Sequence, residues 1–197
     1  MGKHLVVAPT SGNNKIVVYD DAGRVIESRL EPGRVCQLRL RKSADIMADD
    51  PTALLAIPGG ARKDLCRSEA AVAKRWFCEH FPDLADRDVI FDARANYTAA
   101  DMAHLASYIK ELWPYPCLDK ITIVSHPEHA RMARMYLGNA LIAVKLQTPP
   151  IELADSGERA PYNAVKRTAH RIANKFDPEW RRWPSWPLRA AANRRYN

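Results

Sequence analysis

The sequence lacks several features that would settle its class at once. No apolar run approaches the roughly 18 residues of a membrane-spanning helix, and the first residues have no hydrophobic stretch of the signal-peptide kind. A cytoplasmic protein without a membrane partner is therefore expected. The four cysteines, Cys36, Cys66, Cys78 and Cys117, are scattered and form no CxxC pair, which suits reduced thiols. There is no G-x-G-x-x-G, no Walker loop and no G-x-S-x-G. A standard dinucleotide site, a P-loop nucleotidase and a hydrolase nucleophile elbow are thus unsupported. No internal repeat is visible.

What is present is an ordinary globular balance, 47% hydrophobic and 27% charged residues in 197. That length makes one α/β domain, alone or with an appendage, and can bury a sizeable core. The net charge of +7 is unevenly spread. Residues 159–197 hold ten Lys/Arg against two Asp/Glu, while residues 1–158 hold twenty against twenty-one. The chain thus divides into a neutral domain, 1–158, and a basic extension, 159–197. Within the extension, 159–176 reads as a basic helix. Residues 177–197 carry three Trp, three Pro and five Arg, a composition expected to pack back on the domain. Such a segment can also grip nucleic acid through arginine and aromatic stacking, although no recognised nucleic-acid motif accompanies it and charged blocks are often only solvated surface.

The domain is organised around residues 119–138. Ile121 to Val124 is an apolar, β-branched run of the kind that makes a buried parallel strand, and it stops at Ser125-His126-Pro127. Pro127 suits a first helical turn, and the following helix is expected to end at Gly138-Asn139. The pattern recurs along the chain. Leu5 to Ala8, Ala53 to Ile57 and Val89 to Phe91 read as strands, and Leu141 to Val144 is predicted as a fifth. Helices are predicted over 34–47, after Ser68, and behind Thr98 as far as Pro114. Lys15 to Tyr19 and Arg24 to Ser28 flank a Gly-containing turn, as in a hairpin. Alternating strands and helices predict a three-layer, Rossmann-like α/β sandwich with a mostly parallel five-stranded sheet.

Three strand ends then carry polar turns: Pro58-Gly59-Gly60-Ala61-Arg62, Asp92 to Thr98, and Ser125 to Arg131. The carboxyl edge of an open α/β sheet is where ligands bind, and a helix N-terminus there favours an anion. Gly59-Gly60 allows backbone N–H groups to approach a ligand closely, or is an ordinary turn. Ser125, His126 and His129 offer a hydroxyl and two imidazoles. His129 suits general acid–base chemistry, and one of the two histidines is expected to be only a helix cap. His126 and His129 lack a nearby third metal ligand, so no metal is expected. Asp92 is a candidate general base or, with Asn96 and Thr98, a holder of ribose hydroxyls. Asp101 is expected to cap its helix with Thr98.

Taken together, Gly59-Gly60, Glu69, Asn96 with Thr98, Ser125, His129, and Arg131 or Arg134 resemble the motif series of the bacterial SanA/ElyC/YdcF family. The resemblance covers residues 50–145 and, weakly, the first strand. Tyr97 splits the family's adjacent Asn-Thr, and the family's His-to-Arg spacing of three fits neither arginine. The resemblance implies a Rossmann-like domain and, through one member, binding of S-adenosylmethionine. It is also the reason to name Glu69 as functional. The expectation is a transferase or hydrolase for a nucleotide-like anionic ligand. Gly59, Gly60, Arg62, Glu69, Asn96, Thr98, His126 and Arg131 would bind it, and His129, Asp92 and Ser125 would do the chemistry. The alternative is a non-catalytic module that binds nucleic acid through the basic extension.

Overall fold

A computed structural model describes residues 2–60, 68–87, 89–95, 97–112 and 118–158, all within one compact unit, Met1–Glu158. Arg62, Asn96, Cys66, Cys117 and the predicted basic extension lie outside the described residues.

Strands β1 (Lys3–Val7), β4 (Ala53–Pro58), β5 (Val89–Asp92), β6 (Leu118–Ser125) and β7 (Ile151–Asp155) form one sheet in the order β5-β4-β1-β6-β7. Every pairing in it is parallel, so the sheet is more regular than the expected mostly parallel one. Counting only these five strands, the chain fills the order 3-2-1-4-5, the Rossmann arrangement, which reverses direction between β1 and β6. Between β1 and helix α1 (Arg34–Asp49) the chain makes an antiparallel hairpin of its own, β2 (Asn13–Tyr19) and β3 (Val25–Pro32). The hairpin turn follows from its residues. The Asp20 carboxylate accepts the Ala22 and Arg24 N–H groups, and Gly23 supplies a φ of 75°.

The strands read as apolar runs because both faces of the sheet are covered. Val6, Ala8, Leu55, Ile57, Val89 and Val124 pack on one face against Cys36, Leu40 and Met47 of α1 and Ala73, Trp76 and Phe77 of α2 (Glu69–His80). Side chains of opposite parity, including Leu5, Val7, Ile121 and Ile123, are buried on the other face. There lie α4 (Thr98–Leu112), through Met102, Leu105 and Ile109, and α5 (Pro127–Ala143), through Ala130, Ala133 and Leu137. Each large side chain buried in this way contributes about 1.5–3 kcal/mol. Ser68 caps α2 as expected, accepting the Ala71 N–H at 3.1 Å. A short helix, α3 (Pro82–Ala85), leads into β5. Cys36 and Cys78 are free thiols, and burial pushes the Cys36 thiol up to about 12, so it is a neutral core group. Among the described residues no helix is long and apolar enough to cross a membrane.

One element departs from expectation. Residues 141–144 are not the fifth strand. Leu141 is buried in the last turns of α5, continuing the Ala130-Ala133-Leu137 stripe, and the fifth strand is β7. The helix runs through Gly138 and stops where Lys145 takes a φ of 61°. The Lys145 N–H then donates to the Ile142 carbonyl, and the Leu146 N–H to the Leu141 carbonyl. That is a Schellman cap built on a lysine, where glycine is the usual signal.

Candidate functional site

The site is built from four turns at the carboxyl edge, around the β1–β6 reversal. After β4, Gly59 and Gly60 adopt φ of 134° and 74°, conformations that favour glycine. A Cβ on Gly60 would lie 2.5 Å from the Glu69 Cβ, and one on Gly59 would collide with the Thr10 hydroxyl. The close approach that this turn needs is therefore made by the protein's own Thr10 and Glu69. The Gly59 N–H donates to the Asp92 carbonyl at 2.8 Å, which ties the end of β4 to the end of β5. Glu69 is buried in the first turn of α2, and its carboxylate accepts the Gly12 N–H of the turn after β1 at 2.9 Å.

At the end of β6 the Ser125 hydroxyl is fully buried and lies 2.9 Å from Nδ1 of His129. One helical turn past a strand end is a spacing that seldom aligns two side chains, and here it does. On the far side of the ring, Nε2 lies 3.3 Å from the Thr98 hydroxyl. A buried hydroxyl must spend its proton on a neighbour. The two hydroxyls therefore hold the ring from both sides, Ser125 at Nδ1 and Thr98 at Nε2. His126 is the expected capping histidine: its ring accepts the Glu128 N–H at 3.3 Å at the N-cap of α5.

Two expectations about carboxylates need correction. Asp92 is not suited to be a base. Burial works to raise its pKa, but Arg94 outweighs burial with its backbone and guanidinium hydrogen bonds at 2.9–3.2 Å, helped by His104, so the carboxyl is held below its ordinary range. A carboxylate stabilised in this way is a weaker base than an ordinary one. Asp101 is not a helix cap. It is 8% exposed, and among the described residues its Oδ1 has no hydrogen-bond partner. Burial, then the charges of Asp92 and Glu69, raise its pKa well above the usual value. Thr98 is likewise no cap, because it stands inside α4 with its hydroxyl on His129.

Neither does the structure bring Arg131 to this group. It is exposed, two residues and hence about 200° around α5 from His129. The expected anion seat at the head of α5 is also closed. Pro127 has no N–H, the Glu128 N–H goes to His126, and the His126 N–H donates to Glu158 at 2.9 Å. Sequence reasoning missed Glu158 and its partner Arg39. Burial works to raise the Glu158 pKa, yet Arg39, the His126 amide and Ser156 bring it below the usual value. Arg39 binds both oxygens, at 2.8 and 2.6 Å, and also donates to the Pro9 carbonyl at 2.8 Å. The pair thus fastens the turn after β1 to the turn after β6. Arg39 had a signal: it lies three residues from Cys36 and one from Leu40, on the buried stripe of α1. Glu158 had none.

Among the described residues no three His, Cys, Asp or Glu side chains converge to hold a metal ion. A groove at the opposite, amino edge of the sheet, lined by Lys3, Lys74, Asp86, Arg87 and Leu112, contains none of the residues expected to form the site. Compared with known proteins, the chain matches no family model and has no significant match among curated proteins.

Proposed function

We propose that the chain is a Rossmann-like enzyme that binds a nucleotide-like ligand at the carboxyl edge between β1, β4 and β6. His129 does the proton chemistry of a group transfer or hydrolysis there. The observation that carries the reading is the suspension of His129 by both ring nitrogens, between Ser125 of β6 and Thr98 of α4, beside the strand reversal where such folds take ligands. A histidine so held has a fixed ring orientation, with Nε2 beside Thr98 and whatever enters there. Ser125, being buried, acts as the orienting group rather than as a nucleophile.

The resemblance to the SanA/ElyC/YdcF family supports the same edge and rests on these residues alone. It makes S-adenosylmethionine one candidate ligand. The Gly59-Gly60 turn, Asp92 and Asp101 would face its ribose and charged groups. Cytoplasmic residence is part of the same proposal.

The test has two stages. Native mass spectrometry of the purified protein identifies a co-purifying ligand, which supplies an assay. Turnover and melting temperature are then measured for wild type and His129→Ala. Loss of a general acid–base removes about a hundred- to ten-thousand-fold in rate. Loss of a merely structural histidine costs only about 1–2 kcal/mol of stability. A variant that melts early but turns over normally refutes the catalytic role.

A further inference from the structure

Among the described residues, two places at the carboxyl edge that could seat a phosphate are already filled. Rossmann-type folds offer an anion the backbone N–H groups after the first strand and at a helix N-terminus. In this chain the Gly12 N–H is taken by Glu69, and the head of α5 is filled by His126 and Glu158. The protein's own carboxylates stand where a ligand's phosphate would go.

Beside them is a carboxyl left open. Asp101 is more than nine-tenths buried, and its Oδ1 has no hydrogen-bond partner among the described residues. It stands in the first turn of α4, which follows β5 at the carboxyl edge, and the charges of Asp92 at the end of β5 and Glu69 at the head of α2 act on it. The described charges around it are those two carboxylates, Arg94 bound to Asp92, and His104 one turn along α4. An isolated acid beside two carboxylates destabilises its own ionised form, and a positive group placed against it removes that penalty.

We propose that the ligand presents to Asp101 an organic cation, an ammonium or sulfonium group, and not a phosphate. Among the described residues no three His, Cys, Asp or Glu side chains converge to make this a metal site. The proposal rests on the nucleotide-like reading above and names the end of the ligand that enters at the head of α4.

The test uses the full chain and three probes that share one nucleoside and differ in the charge at its 5′ position. They are 5′-amino-5′-deoxyadenosine (positive), adenosine (neutral) and adenosine 5′-monophosphate (negative), titrated by calorimetry at neutral pH. The expected order is amine tighter than adenosine by about ten- to a hundredfold, with the monophosphate weakest. Asp101→Asn brings the ratio of amine to adenosine affinity toward unity. Tightest binding of the monophosphate, or an amine preference that survives Asp101→Asn, overturns the proposal. If none of the three binds, the nucleotide-like reading fails, and the charge preference is judged separately. Methylammonium and inorganic phosphate are each added while the Asp101 carboxyl carbon is titrated by NMR. A midpoint that moves to lower pH with methylammonium but not with phosphate sustains the cation site. A midpoint indifferent to methylammonium overturns it.

Discussion

Removing Glu158 tests whether the edge is held together by an internal charge. The Arg39 guanidinium makes two charge-assisted hydrogen bonds to this carboxylate, at 2.8 and 2.6 Å, and both side chains are nearly fully buried. Glu158→Ala leaves that cation without a partner in the interior, which costs about 3–5 kcal/mol. Against a total stability of about 5–15 kcal/mol, such a loss is easily read by urea denaturation at neutral pH. The double variant Arg39→Met/Glu158→Leu removes the stranded charge, but it also leaves the His126 N–H and the Pro9 carbonyl without their partners. Those orphaned groups cost about 1–3 kcal/mol each, so the double variant recovers only part of the loss. The pH dependence has a definite sign. The folded pKa of Glu158 lies below its ordinary 4.5. Its stabilisation is therefore fully present above that value and fades as the pH falls through the folded value. The gap between wild type and Glu158→Gln should close in acid. A Glu158→Ala variant that loses less than about 1 kcal/mol, or a gap that does not change with pH, refutes this account.

Asp101 predicts the opposite pH behaviour: its folded pKa is raised above 3.8, so wild type loses stability as the pH climbs from there through the folded value, and Asp101→Asn does not. Thermal melts at acid and neutral pH should show the variant gaining on wild type only at neutral pH; an equal difference at both would sink the assignment. Gly60→Ala adds a Cβ 2.5 Å from the Glu69 Cβ at a φ of 74°, and strain plus overpacking should cost about 2–4 kcal/mol, read by the same denaturation assay. A cost below about 1 kcal/mol would mean that the turn opens freely.

The fold was legible because its signals are periodic. Apolar runs at 5–8, 53–57, 89–91 and 121–124 specify strands covered on both faces, and the stripes of α1, α2 and α4 have helical spacing. The failure at 141–144 has a physical cause. Four apolar residues are too few to separate a buried strand from the last turn of a buried helix. Gly138, which reads as a stop, sits in open space within α5, while the real stop falls on Lys145. A backbone conformation reached by a lysine leaves no mark in composition. The fifth strand, Ile151–Asp155, has only intermediate and exposed residues, as sheet edges do, and so lacks the apolar run that betrayed the others.

The candidate site was legible as a set of positions and illegible as a field of charge. Ser125, His129, Thr98 and Gly59-Gly60 fall at one edge because each ends a strand or begins a helix, and such places are marked by local residue chemistry. Which acid is ionised depends instead on partners brought from elsewhere in the chain. Asp92 and Asp101 look alike in sequence, yet Arg94 lowers the pKa of the first while burial beside two carboxylates raises that of the second. The same holds for the head of α5. The sequence shows a helix N-terminus open to an anion, and only the return of the chain 32 residues later shows that Glu158 already occupies it. Local pattern therefore locates the edge. The charge at that edge is set by long-range pairs, and these are what the substitutions at Glu158 and Asp101 perturb.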